Sequence, residues 1–285
     1  MNADFPDPAR LIVTGARGLL GREILRLAPA AAGFGRAELD ITDRAAVDAV
    51  LTPGAVVLNC AAYTAVDAAE TDREAAFAAN ATGPAVLAAA CADAGARLVH
   101  VSTDYVFPGT AHTPYEPGDP TGPATVYGAS KLAGEQAVLA RHPAAQVVRT
   151  AWVYGGVEGD FVATMRRLER ERETVSVVDD QLGSPTSAAD LAAALLELST
   201  RPDAPRVLHA TNSGAATWFD LAVAVFTELG ADPARVLPCD SGAFPRPAPR
   251  PPYSVLSPAA WNAAGLTPLR SWRRALTATL RGLSD

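Results

Sequence analysis

Arg10-Leu11-Ile12-Val13-Thr14-Gly15-Ala16-Arg17-Gly18-Leu19-Leu20-Gly21 decides the fold. Its first five residues form a short, largely apolar run that reads as a buried strand. Three glycines follow at Gly-x-x-Gly-x-x-Gly spacing, and Arg22 to Leu27 then reads as helix. A strand, a glycine turn and a helix N-terminus together make an anion cradle. No side chain blocks the backbone, and free N–H groups and the helix dipole face the ligand. The spacing differs from the Gly-x-Gly-x-x-Gly of ordinary dehydrogenases, and a bare strand–helix turn would also use small residues. With strand and helix on either side, the stretch reads as a dinucleotide site formed by Gly15, Arg17, Gly18, Leu19, Leu20 and Gly21.

Working outward, strands alternate with helices as far as about residue 155. Strands are expected at Ala55 to Leu58, Arg97 to Val101 and Gln146 to Arg149, with another ending near Phe34. This predicts an α/β fold, a doubly wound parallel sheet of Rossmann type. Residues 1–155 are expected to form the dinucleotide-binding domain. Residues 156–285 are expected to form a smaller α/β substrate-binding region, with some segments returning to the first domain. Val66 to Ala94 reads as alanine-rich helix with a break or kink at Gly83-Pro84, and Asn80 as an internal hydrogen-bonding residue. Asp43 and Thr217 are expected helix caps.

After the second strand an NAD-selective site carries an acid for the ribose 2′-hydroxyl. Here Phe34-Gly35-Arg36 has none before Glu38. Gly35 leaves room, and Arg36 and Arg17 can pair with a 2′-phosphate, so NADPH is the expected cofactor with NADH as the alternative. Arg36 would otherwise be an ordinary surface arginine. Asp40 and Ile41 could hold the adenine by hydrogen bond and apolar contact. The small residues after the third strand, Ala61 and Ala62 before Tyr63, suit backbone lying against a cofactor. Cys60 reads as a core filler.

Tyr127 and Lys131 stand four apart at the start of an expected helix and so share one face. Their reference pKa values are about 10 and 10.4. A cation held near the phenol favours phenolate and lowers the tyrosine, which can then give a proton to a carbonyl oxygen as hydride reaches carbon. Ligands collect at the carboxyl ends of parallel strands, so Ser102-Thr103-Asp104-Tyr105 is where a catalytic hydroxyl belongs. The proline-rich stretch Phe244 to Tyr253 reads as a substrate-contacting loop.

The totals exclude several classes. The 285 residues are 49% hydrophobic, enough for a sizeable core, and the net charge of −7 comes with no basic patch for nucleic acid. No uncharged apolar run reaches the roughly 20 residues of a membrane span. The stretch Met1 to Asp7 lacks the features of a signal peptide. Three widely spaced cysteines, Cys60, Cys91 and Cys239, fit free thiols in a reducing cytoplasm and neither a disulfide framework nor a zinc site.

Gly15-x-x-Gly18-x-x-Gly21, Ser102-Thr103-Asp104-Tyr105-Val106-Phe107 and Tyr127-x-x-x-Lys131 together resemble an extended short-chain dehydrogenase/reductase. More narrowly, the chain is similar to the dTDP-4-dehydrorhamnose reductase family. The shared segments include Leu39 to Asp43, Asn59 to Asp67, Arg149 to Gly155, Asp180 to Thr186 and Arg250 to Ser254. The resemblance implies reduction of the C4 ketone of a dTDP-linked 4-keto-6-deoxy sugar by a nicotinamide cofactor. It implies a catalytic triad of Thr103, Tyr127 and Lys131. Tyr127 would protonate the C4 oxygen, Lys131 would hold the nicotinamide ribose and depress the phenol, and Thr103 would hydrogen-bond the substrate oxygen. Asp104, Tyr105, Trp152, Val153, Gln181, Ser184 and Arg250 would contact substrate, Arg250 as a diphosphate partner.

Related 4,6-dehydratases carry Thr-Asp-Glu where this chain has Thr103-Asp104-Tyr105, so simple reduction is expected over elimination. The glycine loop lacks the glutamate of relatives that bind magnesium at a dimer interface, so no metal and a monomer or weak homodimer are expected. Two rivals share the motifs: a ketoreductase of another deoxysugar pathway, and a cofactor-binding regulatory subunit like the β subunit of methionine adenosyltransferase.

Overall fold

The computed structural model describes residues 10–283; Met1 to Asp7, considered above for a signal peptide, lies outside the described residues. The first strand, β1 (Leu11–Thr14), is buried along its whole length. It passes through the glycine loop into α1 (Leu19–Leu27), which begins at Leu19 rather than Arg22 because Gly18 is already its N-cap. β2 (Ala32–Phe34) ends at Phe34 as expected, and α2 (Arg44–Val50) is capped by Asp43, whose carboxylate accepts from the N–H groups of Ala45 and Ala46. β3 (Val56–Asn59) leads to the short helix α3 (Val66–Ala69).

A long apolar rod follows: α4 (Arg73–Phe77), a π turn at Ala78–Thr82, and α5 (Gly83–Ala94). Pro84 has no N–H to give to the Asn80 carbonyl, and the backbone absorbs the missing bond as a π turn instead of breaking. At 22 residues the rod is long and apolar enough to cross a membrane. The reading of uncharged runs did not anticipate this, because Arg73 and Glu74 open it. Here it packs on the sheet and on the helix that carries Tyr127.

β4 (Arg97–Thr103), α6 (Val126–Arg141) and β5 (Gln146–Thr150) complete the alternating part. The elements then shorten: β6 (Val153–Tyr154), α7 (Phe161–Glu171), β7 (Val175–Val178), β8 (Leu182–Gly183) and β9 (Thr186–Ser187). After these come α8 (Ala188–Leu198), β10 (Val207–His209), β11 (Ala216–Thr217) and α9 (Trp218–Glu228). Thr217 caps α9 in a reciprocal box with Asp220. β12 (Val236–Cys239), α10 (Ala259–Ala263) and α11 (Trp272–Arg281) close the described chain.

The main sheet has six strands in the order β10-β5-β4-β3-β1-β2, and all five pairings are parallel. Side chains alternate across it. Leu11, Val13, Leu58 and Val148 meet Ile24 of α1 and Leu191 and Leu195 of α8 on one face. Ile12, Val57, Leu98 and Val147 meet Cys91 and Val138 on the other. Both faces are covered, which is why these strands read as continuous apolar runs. Each large apolar side chain so buried contributes on the order of 1.5–3 kcal/mol. Although they belong to residues 156–285, α8 and β10 lie in this first layer. A second core gathers Met165, Val175, Phe226, Trp272 and Leu276.

The chain turns from β1 outward to β2 on one side and to β3 on the other. Strand order reverses there, and the crevice at the carboxyl ends of β1 and β3 is where such sheets take ligands.

Candidate active site

The glycine loop closes against the end of β3. Gly15 has φ +68°, and a Cβ there would sit 2.6 Å from the backbone of Cys60 and Ala61. A Cβ on Gly21 would come within 2.4 Å of the Gly15 carbonyl oxygen. Only glycine keeps the turn flat at both positions. No side chain caps α1 and no acid stands in its first turn, so the N–H groups of Leu19, Leu20 and Gly21 remain available to an anion. This cradle fits a dinucleotide diphosphate. It opens into a cavity of about 1580 Å³ that continues past Tyr127 and Trp152 to the loop at Phe244–Pro251.

At the far end of the cradle, Arg17, Arg36, Asp40 and Ile41 all line the cavity. Arg17 is already paired: its Nη2 lies 2.6 Å from Glu38 Oε1, and both groups are exposed. Its guanidinium is held above its ordinary pKa by that carboxylate. Glu38, the first acid after the second strand, therefore stands beside Arg17 at this end of the cradle. Asp40 Oδ1 accepts from both the N–H and the hydroxyl of Thr42, which holds the carboxyl below its usual pKa. Ile41 packs against Gly83 in a local core while still facing the cavity.

Asn80 fixes the segment after β3. Its amide accepts from the Tyr63 N–H at 2.8 Å and donates to the Tyr63 carbonyl at 3.0 Å and to Ser130 Oγ on α6 at 3.0 Å. It is fully buried and structural, as expected. Ala61, Ala62 and Tyr63 are held along the cavity wall. Cys60 lines it too, but burial pushes its thiol up to about 12, so it stays protonated and inert.

Four contacts set the position of α6. Thr125 Oγ1 accepts from the Gly128 N–H at 3.0 Å, and Glu70 Oε1 accepts from the Val126 N–H at 2.9 Å. Gly134 lies flush on the Asn80 carbonyl, which its own helix leaves free at Pro84; a Cβ there would be 2.0 Å from that oxygen. Glu135 forms a buried ion pair with Arg149 of β5 at 2.7 Å. Arg149 also donates to the Pro117 carbonyl, so its charge is paired and hydrogen-bonded in the way burial demands.

Tyr127 and Lys131 therefore face one cavity with Thr103 and Asp104 at the end of β4. Lys131 Nζ donates to the Val101 carbonyl at 2.7 Å. Thr103 Oγ1 donates to Asp104 Oδ1 at 2.9 Å. Asp104 Oδ2 is buried without a hydrogen-bond partner. Tyr105 meets the Tyr127 ring edge-on, with centroids 5.5 Å apart.

The electrostatics correct one expectation. Lys131 does not bring the phenol down; burial dominates both groups. Burial pushes Tyr127 up to about 12, partly offset by the Thr103 hydroxyl. It pushes Lys131 down to about 8, against the pull of Glu135. Burial also lifts Asp104 to about 6, and the Thr103 hydroxyl that donates to it pulls the other way. At neutral pH the site thus holds a protonated phenol, an ammonium and a carboxylate close to its own titration.

Beyond Thr103, Tyr127 and Lys131, Trp152 has φ +48° and stacks on Trp218, with ring centroids 3.6 Å apart and an interplanar angle of 5°. It is the one non-glycine among the described residues with positive φ, a conformation that surrounding packing must hold. Gly183 supplies part of that packing: a Cβ there would strike the Trp152 ring at 2.4 Å. Gln181 supports Trp218. Its Oε1 accepts from Trp218 Nε1 at 3.1 Å and its Nε2 donates to Ser241 Oγ at 2.7 Å. Val153, in β6, lines the cavity beside Trp152.

Ser184 is not brought to the cavity. It is buried, and its hydroxyl accepts from the Leu256 N–H at 3.2 Å, which gives it a packing role. Arg250 reaches the cavity but is clasped by Asp67, at 2.8 Å from Oδ2. Trp218 and Asp67 escaped sequence reasoning. One looks like a helix-start aromatic and the other like a surface acid within a quoted segment. Among the described residues, no group of three or more His, Cys, Asp or Glu is placed to hold a metal ion.

A family model described as the RmlD substrate binding domain matches residues 9–284. A dTDP-4-dehydrorhamnose reductase of Mycobacterium tuberculosis is 56% identical over 283 residues, covering 95% of this chain and 92% of the relative. A probable dTDP-4,6-dihydroxy-2-methyloxan-3-one 4-ketoreductase of Streptomyces antibioticus is 50% identical, covering 94% of this chain and 93% of the relative. The solved structure of a dTDP-4-dehydrorhamnose reductase from Bacillus anthracis, in complex with NADP, superposes with TM-score 0.90 at 38% identity, covering 96% of this chain and 99% of that one.

Proposed function

The chain belongs to the RmlD substrate binding domain family, and on that premise we propose that Tyr127, Lys131 and Thr103 carry out the proton side of a sugar-ketone reduction. The enzyme is an NADPH-dependent reductase of the C4 ketone of dTDP-4-dehydro-L-rhamnose, giving dTDP-L-rhamnose. The observation that carries the assignment of roles is the meeting, in one cavity, of the glycine cradle, the α6 pair and an arginine-bearing loop.

The N–H groups of Leu19, Leu20 and Gly21 would hold the cofactor diphosphate, and Arg36 and Arg17 its 2′-phosphate. Bound there, the nicotinamide supplies hydride to C4. Tyr127, protonated at working pH, gives its phenolic proton to the C4 oxygen. Lys131, held by the Val101 carbonyl, offers its remaining N–H donors to the ribose and offsets the phenolate that Tyr127 becomes. Thr103 lowers the cost of that phenolate by turning its one O–H from Asp104 toward the Tyr127 oxygen as the charge forms. Trp152, braced by Trp218, forms the wall beside the sugar. Arg250 takes the nucleotide diphosphate.

Retention of Tyr127, Lys131 and Thr103 on one cavity is not needed by a regulatory subunit. A ketoreductase of a neighbouring deoxysugar would keep the same triad, and the Streptomyces antibioticus relative gives that reading its support. The test is oxidation of NADPH with a dTDP-4-keto-6-deoxy sugar, with and without the epimerase that precedes the reductase. Turnover that requires the epimerase is expected. Turnover without it favours the second reading, and none under either condition rejects both. The three unpaired cysteines suit action in the cytoplasm.

A further inference from the structure

Asp67 holds Arg250 in a particular way. A guanidinium carries five N–H donors in a rigid plane. Arg250 Nη1 donates to Asp67 Oδ1 at 2.9 Å and to the Ala248 carbonyl at 2.9 Å, and Nη2 donates to Asp67 Oδ2 at 2.8 Å. That leaves Nε–H and the second Nη2–H, which lie along the same edge of the plane and have no protein partner among the described residues. Such an edge is the two-pronged fork that matches phosphate oxygens. Arg250 lines the cavity, whereas Asp67 stands behind it and is not part of the wall.

The same carboxylate does two further things. Its Oδ1 accepts from the Ala248 N–H at 3.3 Å, pinning the loop that carries both arginines. Its Oδ2 lies 3.7 Å from Arg246 Nη1, a looser contact to an exposed side chain that also lines the cavity. Arg250 and Asp67 are each mostly shielded, so their pair is screened less than the surface pairs elsewhere on the molecule. The pairing holds the Asp67 carboxyl below its usual pKa, so it stays ionised across the working range.

We propose that Asp67 is a positioning residue for the diphosphate of the nucleotide sugar: it touches no ligand, fixes the free edge of Arg250 toward the cavity, and keeps Arg246 within reach of the second phosphate. The proposal rests on the reading of Arg250 as the diphosphate partner. A carboxylate behind the arginine also removes the charge penalty of keeping that arginine in place before the anion arrives, which is preorganisation in its ordinary sense.

The test is calorimetric titration of dTDP into the full chain saturated with NADP, alongside steady-state kinetics with the sugar nucleotide. Asp67→Asn is expected to weaken dTDP by about tenfold or more and to raise KM in step, with kcat changed less than about threefold and NADPH affinity within about twofold. Asp67→Glu keeps the charge but shifts the fork, and should weaken dTDP by a smaller factor. In an Arg250→Ala background, Asp67→Asn should weaken dTDP by a clearly smaller factor than it does alone, since its main route to the ligand is gone and only the looser contact to Arg246 remains. Unchanged dTDP affinity in Asp67→Asn, while Arg250→Ala weakens it, overturns the role of Asp67 alone. Unchanged affinity in Arg250→Ala removes the diphosphate reading beneath it. Equal loss of dTDP and NADPH in Asp67→Asn marks a general structural role and also overturns the proposal. Should Asp67→Asn not fold, unchanged dTDP affinity in Asp67→Glu does so.

Discussion

Replacing Asp104 with asparagine should change stability in a way that depends on pH. The side chain is 2% exposed, accepts the Thr103 hydroxyl on one oxygen and has no hydrogen-bond partner on the other. Burial lifts its pKa from 3.8 to about 6. The folded carboxyl thus keeps its proton to higher pH than the unfolded one, so the native state binds more protons in that window. Stability is therefore lost as pH rises from about 4 to about 6 and stays lost above it. The full gap corresponds to about 3 kcal/mol, most of which develops between pH 4 and pH 8. Asn keeps the shape and an acceptor for Thr103 but cannot ionise. The difference in unfolding free energy, variant minus wild type, should therefore rise by about 2 kcal/mol from pH 4 to pH 8, whatever its constant offset. Urea denaturation of both proteins at matched pH values measures this directly. A difference that stays flat across the window would show that Asp104 is solvated or paired, and the account of a carboxylate near its titration point at pH 7 would be wrong.

Further consequences concern the rest of the site. Because Lys131 loses its proton near pH 8 while Tyr127 keeps its own to about 12, the alkaline fall in kcat/KM should be centred near pH 8 and belong to the lysine. A profile flat to pH 10 would reject that assignment. Gly134→Ala forces a Cβ to 2.0 Å from the Asn80 carbonyl and should separate α6 from the π turn. A loss of roughly 3 kcal/mol or more in unfolding free energy is expected, and a loss below about 1 kcal/mol would mean the two helices give way easily.

Much of the fold is legible where one residue type has only one physical use. Gly15 and Gly21 sit where a Cβ meets backbone, so the glycine loop could be read directly, and Asp43 and Thr217 cap the helices their spacing announces. Apolar runs buried on both faces marked the central strands. What stayed hidden is tertiary. β12 is four residues beginning Val236-Leu237-Pro238, with a proline inside, and becomes a strand only through its pairing with β7. The π turn at Ala78–Thr82 is a compromise between Pro84 and the packing of Gly134, which no local pattern encodes.

In the site, the shared helix face of Tyr127 and Lys131 was readable from spacing and Thr103 beside them was implied by the family resemblance, but the electrostatics were legible in neither. Whether Lys131 lowers Tyr127 or both are ruled by burial depends on how deeply α6 is seated, which is a property of the fold. Gln181 and Arg250 were found as polar residues in suggestive segments. Only the structure shows that Gln181 spends both ends of its amide on Trp218 and Ser241, and that Arg250 is held by a carboxylate far away in sequence.

The claim that Tyr127 delivers the proton is tested most directly by single-turnover oxidation of NADPH with dTDP-4-dehydro-L-rhamnose in wild type and Tyr127→Phe. The phenylalanine variant should bind NADPH within about twofold of wild type and turn over about a hundredfold to ten-thousandfold more slowly. Turnover within about twofold of wild type would contradict the account.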